Sequence, residues 1–271
     1  MIDLHIHSNH SDGTDSVLEI LEKANNKLSQ ISITDHNTYL GGLEAFQYQS
    51  KFPNMEIIIG SELSSTYYGK EAHVLGYFNS KDFKTEKLNK FIEETQKMKK
   101  EVLSAMINKI NQKFHENFSY EEIAAKYPHT ILNRVHLCHL LLDKGYISSI
   151  DEGFQKYLKR GRPCFVSRDY YPLKEVIHLI HESGGLAIKA HPVVDKPDGI
   201  YMRTYLSEAF DLGLDGVEVF HSRQNEIQSQ ELLSICKEFK KIPTGGSDYH
   251  GNIKKVPLGY GNVSDRYKIS F

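Results

Sequence analysis

The sequence predicts an α/β protein, a mainly parallel sheet or barrel interrupted by a helical insertion. Three observations carry that prediction. Short apolar runs of strand length alternate with helical patterns, opening in the order β-α-β-α-β. Histidines and acids collect at or near the ends of those runs: His5 and His7, Asp35-His36, Glu62, His73, His191, and Asp248 with His250. From about Asp82 the texture turns helical and strand signals become few. Delivering single side chains from the ends of successive strands is how an α/β barrel builds a site.

Each element has its own local reason. Ile2, Leu4 and Ile6 alternate with Asp3, His5 and His7, the period of a strand. Ser16 with Glu19 three residues on is a capping-box signature, and Val17, Leu18, Leu21 and Ala24 follow at helical spacing. A second strand spans 31–34, a helix 41–49, and an isoleucine-rich strand 56–60 ends just before Glu62. Residues 65–78, turning at Gly69, read as a hairpin carrying His73. Phe91, Met98, Val102, Met106 and Ile110 then recur at helical spacing among lysines and glutamates, predicting a long amphipathic helix. Shorter helices are expected at 121–126, 132–144 and 151–158. Alternation resumes after Pro172 with helices at 176–182, 205–212 and 227–239. Between and after them lie strands at 186–190, 216–220 and 243–247.

Composition excludes several classes. A hydrophobic fraction of 39% supports a sizeable core, and a formal net charge of −2 gives neither a nucleic-acid coat nor a polybasic membrane anchor. The three cysteines are far apart and form no CxxC pair, so a thiolate zinc knuckle or disulfide framework is not expected and the reducing cytoplasm fits best. No leader-like or bilayer-spanning run is present, and no obligatory protein partner is inferred. The 14 histidines are the anomaly.

Imidazole and carboxylate are the ligands of zinc, manganese and iron. Strand alternation puts His5 and His7 on one side, where two rings can grip one ion. Glu62 can serve two ions with its two oxygens, and Gly245-Gly246 lets the backbone pass close to a site at Asp248 and His250. Asp12, in a Ser-Asp-Gly turn, reads on its own as a turn residue.

The motifs DLHIHS-x-x-SDG, TDH, GSE, AHP and GSDYHG together resemble those of the PHP family (polymerase and histidinol phosphatase domains) over nearly the whole chain. The likeness is greatest to its TrpH-type phosphoesterases, which carry a helical insertion after the strand that reads HVLGYF here. The resemblance implies a distorted (β/α)7-type barrel, the PHP fold, in residues 1–80 and 168–271, with residues 81–167 a helical substrate cap. It implies up to three divalent ions, Mn2+, Fe2+ or Zn2+. By position, His5, His7, Glu62 and Asp248 hold the first; Glu62 bridges to a second with His73 and His191; Asp12, His36 and His250 hold the third. Some relatives have histidine at Asp12, and a carboxylate makes that site harder and friendlier to manganese or iron. Asp35, preceding a ligand, reads as an orienting residue.

Glu62, His191 and Asp248 are thus the expected catalytic positions, and metal-bound hydroxide the expected attacker of a phosphate ester. The substrates implied are 3′,5′-nucleoside bisphosphates or short 5′-phosphorylated RNA. Substrate contacts are expected from Arg134 and His136, at the start of an insertion helix, and from Arg168. Lys189, in an apolar strand where relatives usually have an apolar residue, has two readings: a phosphate contact, or a side chain snorkelling to the surface. Histidinol-phosphate phosphatase, amidohydrolase and a non-catalytic metal-binding PHP module are the competing expectations.

Overall fold

The computed structural model describes residues 1–127, 132–167 and 170–271. Arg168 therefore lies outside the described residues. The elements run β1 (Ile2–Ile6), α1 (Val17–Ala24), β2 (Gln30–Ile33), α2 (Leu40–Gln47), β3 (Glu56–Tyr67), β4 (Lys70–Phe78), α3 (Glu86–Phe114), α4 (Tyr120–Ala125), α5 (Arg134–Asp143) and α6 (Ile150–Gly153). They continue with α7 (Leu173–Glu182), β5 (Gly185–Lys189), α8 (Pro192–Asp195), α9 (Met202–Asp211), β6 (Gly216–His221), α10 (Glu226–Phe239) and β7 (Ile242–Gly246).

The seven strands lie in one sheet in chain order. β4 runs antiparallel to both neighbours, and the other pairs are parallel. A bridge between Ile6 and Tyr249 brings the two edges together, with His7 N–H donating to Tyr249 O (2.9 Å) and Asp248 N–H to His5 O (2.8 Å). The result is the nearly closed α/β barrel that the sequence predicts.

Contacts divide the chain into two compact units, residues 1–92 with 169–271, and residues 93–168. In the first, Val17, Ile20, Leu21 and Ala24 of α1 pack with Ile6, Ile31 and Ile33. Ser16 and Glu19 close the predicted capping box at the head of that helix. Leu4, Ile58, Leu75, Tyr77 and Ile188 form a further cluster, each buried aliphatic side chain contributing about 1.5–3 kcal/mol. The second unit has its own core of Leu103, Met106, Ile110, Leu137, Leu141 and Leu158. Among the described residues no helix is long and apolar enough to cross a membrane.

One element departs from expectation. The strand predicted to stop at residue 60 runs unbroken to Tyr67, so Glu62 sits inside it. β2 pairs only with its first part, Glu56–Ile59, whereas β4 pairs with it from Ile59 to Tyr67. Ser64 and Ser65 are buried with their polar groups satisfied: Ser64 N–H donates to Asn37 Oδ1 (2.9 Å) and Ser65 Oγ to Ala72 O (2.8 Å). Their polarity, which separates the 56–60 strand from the 65–78 hairpin in the sequence reading, is internal to the sheet in the fold. Tyr68 and Gly69, both at positive φ, make the two-residue hairpin turn.

Candidate metal centre

The chain brings all nine predicted donors together at one end of the barrel strands. Glu62 is the hub. Its Oε1 lies 2.9 Å from His191 Nε2 and 3.0 Å from His73 Nδ1. Its Oε2 lies 3.0 Å from His36 Nδ1 and 3.3 Å from Nε2 of both His5 and His7. Asp248 Oδ1 faces His7 Nε2 (3.3 Å) and His5 Nε2 (3.8 Å). Asp12 Oδ1 faces His250 Nε2 (3.3 Å) and His7 Nδ1 (3.6 Å), and its Oδ2 is 3.9 Å from His36 Nε2.

This arrangement fits divalent cations. His5 Nδ1 is 2.9 Å from Glu218 Oε1, and an ionised carboxylate only accepts, so the proton of the neutral ring sits on Nδ1. Its Nε2 points at Glu62 and Asp248; burial opposes charge on the ring, yet Glu218 and Glu62 raise it well above the usual histidine range, so without a cation that nitrogen holds a proton. His250 repeats the pattern: Nδ1–H donates to Asp248 O (2.8 Å), leaving Nε2 aimed at Asp12. A nitrogen lone pair facing a carboxylate oxygen is repulsive unless a proton or a cation lies between them. Buried His5 Nε2, His7 Nε2, His36 Nδ1 and Glu62 Oε2 make no hydrogen bond at all. Mixed imidazole and carboxylate donors without a thiolate suit divalent ions of intermediate hardness.

The titration of these groups says the same. Burial lowers His7, yet the Asp248 and Glu62 carboxylates 3.3 Å from its Nε2 carry it up to about 9. Burial likewise opposes charge on His73, but the Glu62 carboxylate raises it to about 10. His36 and His250 go down, chiefly through burial, His36 to about 4. Burial would raise Glu62, but the charges of His36, His73 and His5 hold it well below the usual carboxylate range. Protons thus occupy part of the role that a cation can take.

Several further residues hold this cluster in place. Glu218 grips two ligands, with Oε1 on His5 and Oε2 accepting the His191 backbone N–H (2.8 Å). Asp35 accepts from Ser8 N–H (2.8 Å), Ser8 Oγ (2.6 Å) and Ser11 Oγ (2.6 Å), fixing the loop after His7. Gly246 passes so close that a Cβ there would lie 2.3 Å from the His5 Cβ, the close approach the glycine pair suggests. His191 (φ 25) and Asp248 (φ 57) hold left-handed backbone, a strain of about 1–3 kcal/mol each that clusters at functional sites.

Lys189 takes neither expected course. It is fully buried, and its ammonium donates to Asp195 Oδ2 (2.5 Å), Ala190 O (2.8 Å) and His73 O (3.1 Å). With three donors engaged it neither reaches solvent nor offers a hydrogen bond to phosphate. Asp195 in turn accepts the His73 backbone N–H (3.1 Å) and lies 3.3 Å from His191 Nδ1, so the pair backs two candidate ligands. His221 belongs to the site's wall: its Nδ1 accepts the Arg223 N–H (3.0 Å), which leaves Nε2–H 3.4 Å from Asp248 Oδ2.

Arg134 and His136 belong to the second unit, in the first turn of α5. The Arg134 guanidinium lies over the rings of Phe154 and Phe165, 5.8 and 5.7 Å from their centroids. His136 Nδ1 accepts the Asn133 backbone N–H (3.0 Å), which makes it a capping residue.

The PHP domain model matches residues 3–212, and the chain belongs to that family. A 5′-3′ exoribonuclease of Haemophilus influenzae is 28% identical over 95% of this chain and 92% of its own length. A phosphoribosyl 1,2-cyclic phosphate 1,2-diphosphodiesterase of Eggerthella lenta is 26% identical over 94% and 96%. A 3′,5′-nucleoside bisphosphate phosphatase of Chromobacterium violaceum is 23% identical over 92% and 87%. The crystal structure of a predicted metal-dependent phosphoesterase from Bifidobacterium adolescentis shares the fold, with a TM-score of 0.87 and 23% identity over 98% of this chain and 93% of that one.

Proposed function

We propose that the chain is a metal-dependent phosphoesterase that hydrolyses phosphate esters of nucleotides, with 3′,5′-nucleoside bisphosphates and short 5′-phosphorylated RNA as its substrates. The observation that carries this reading is the gathering of six imidazoles and three carboxylates in one cluster, with five of the rings around Glu62 and the sixth, His250, against Asp12. The activities of the Haemophilus, Eggerthella and Chromobacterium relatives, all on phosphate esters, support it.

His5, His7, Glu62 and Asp248 hold one ion, Glu62 with His73 and His191 a second, and Asp12, His36 and His250 a third. The ions are Mn2+, Fe2+ or Zn2+. When bound, they neutralise phosphate oxygens and lower the pKa of coordinated water from 15.7 towards about 7. The chain's own residues prepare this chemistry. Glu218 fixes the His5 tautomer, Asp195 backs His191 and the His73 backbone, and Asp248, on left-handed backbone, turns Oδ1 towards His5 and His7. Burial of the ligands keeps bulk water from competing for the donors. Arg134 and His136 are the substrate contacts to test by mutation. The protein works in the cytoplasm, a reading supported by three cysteines that are all free.

The test is phosphate or mononucleotide release by manganese-loaded protein from a panel of nucleoside bisphosphates, 5′-phosphorylated oligoribonucleotides and histidinol phosphate. Asp248→Ala is expected to abolish turnover while the chain stays folded. An inert metal-loaded protein across that panel overturns the proposal.

A further inference from the structure

Asp248 divides its carboxylate between two sets of partners. Oδ1 faces the imidazoles of His5 and His7. Oδ2 faces away from that pair, towards His221 Nε2 at 3.4 Å and Lys254 Nζ at 2.6 Å. Lys254 lies six residues on, in the segment after β7, and its side chain is 26% exposed. It therefore stands at the boundary between the buried ligand cluster and solvent, anchored at its tip to a candidate ligand.

An ammonium has three donors, and the Asp248 contact uses one. Among the described residues Lys189 is the other ammonium beside these donors, and its three hydrogens are engaged by Asp195 and the carbonyls of His73 and Ala190. A phosphate ester is an anion that must approach Asp12, Glu62, Asp248, Glu218 and Asp195, all of them carboxylates. Ions in the cluster offset part of that charge; a cation at the rim with donors still to give offsets more, and does so where the substrate arrives. Lysine is well suited, because it acts on phosphate as a compact, hydrated point charge on a flexible stem. Oδ1 is free to turn to a metal while Oδ2 keeps its hold on Lys254.

On the basis of the phosphoesterase reading, we propose that Lys254 is a substrate-binding residue: tethered by Asp248 Oδ2, it donates to the non-bridging oxygens of the phosphate group presented to the metal centre. Neither the histidine-rich motifs nor the arginines of the insertion mark this residue.

The probes are inorganic phosphate and adenosine 3′,5′-bisphosphate, used with manganese-loaded protein. Lys254→Met is expected to weaken phosphate binding, measured by calorimetry, on the order of tenfold, the worth of one charge-assisted hydrogen bond. KM for the bisphosphate is expected to rise by a similar factor. Manganese stoichiometry, measured on the same samples, stays at the wild-type value, and Lys254→Arg recovers most of the affinity. Lys255→Met removes the same charge from an exposed neighbour and serves as the control. Phosphate affinity within twofold of wild type in Lys254→Met overturns the proposal, as does an equal loss in Lys255→Met. Loss of manganese from Lys254→Met also overturns it, since the lysine would then act through Asp248 alone. A wild-type protein inert on every ester defeats the functional reading, while the phosphate titration still decides the role of Lys254.

Discussion

Replacing Lys189 by methionine keeps most of the side-chain volume and removes its charge, and the structure sets the size of the effect. At the 2.5 Å separation of Nζ and Asp195 Oδ2, the gross attraction at an effective dielectric of 20 is about 6–7 kcal/mol. Each ion gives up several kcal/mol of hydration on burial, so the intact pair contributes little net stability. Half a pair is a different matter. Lys189→Met strands the Asp195 carboxylate and the carbonyls of His73 and Ala190, and is expected to cost about 3–5 kcal/mol. Lys189→Met with Asp195→Asn removes both charges yet keeps an acceptor for the His73 N–H. It is expected to regain at least about 2 kcal/mol of that loss. Urea unfolding of chelator-treated protein measures all four corners of the cycle, with equal m-values confirming a shared unfolding reaction. If the double variant's loss equals the sum of the single losses within about 0.5 kcal/mol, Lys189 and Asp195 do not act as a pair and the reasoning fails.

Three other outcomes follow from the same geometry. Gly246→Ala puts a Cβ 2.3 Å from the His5 Cβ, so β1 must move; a cost of about 1–3 kcal/mol and a clear loss of manganese affinity are expected, and an unchanged metal titration would contradict this. Glu218→Gln removes the acceptor charge that fixes the His5 tautomer, and chelator competition should show about 10–100-fold weaker binding of metal at near-normal stability. Because His7 is carried up to about 9 and His73 to about 10, both are protonated at neutral pH in the metal-free site. Ligation needs neutral rings, so metal uptake releases protons and apparent affinity rises as pH climbs from 6 towards 9. Calorimetry in buffers of different ionisation enthalpy counts those protons, and a pH-independent affinity would refute the coupling.

The candidate ligands are legible in the sequence because residue type and strand position point the same way. His5 and His7 on an alternating strand, or Asp248 after two glycines, need no distant information. The supporting residues are different. Asp195 lies four residues after His191 on the short helix α8 and carries no signal until Lys189 is seen buried against it. The oddity of a lysine in the strand Gly185–Lys189 is visible in sequence; its partner is not. Glu218 is the same kind of clue, a lone acid in an apolar strand, and only the fold brings it to His5. The strand at 56–60 and the hairpin at 65–78 read as separate in sequence because Ser61, Ser64 and Ser65 are polar, and the satisfaction of Ser64 and Ser65 inside one continuous strand is a tertiary fact. The capping role of His136, through its Nδ1 on the Asn133 N–H, is likewise seen only in the fold.

The barrel is closed by its earliest and latest strands, with Ser247 N–H reaching Asp3 Oδ1 across 244 positions of sequence (2.9 Å). Contacts of such long range carry a large loop-closure cost. His5, His7 and Glu62 come from the first strands and Asp248 and His250 from beyond the last, so the full set of candidate donors exists only once the barrel has closed. Under the proposed reading, selection among metals is thereby a property of the folded barrel, where the donors meet an ion as a set.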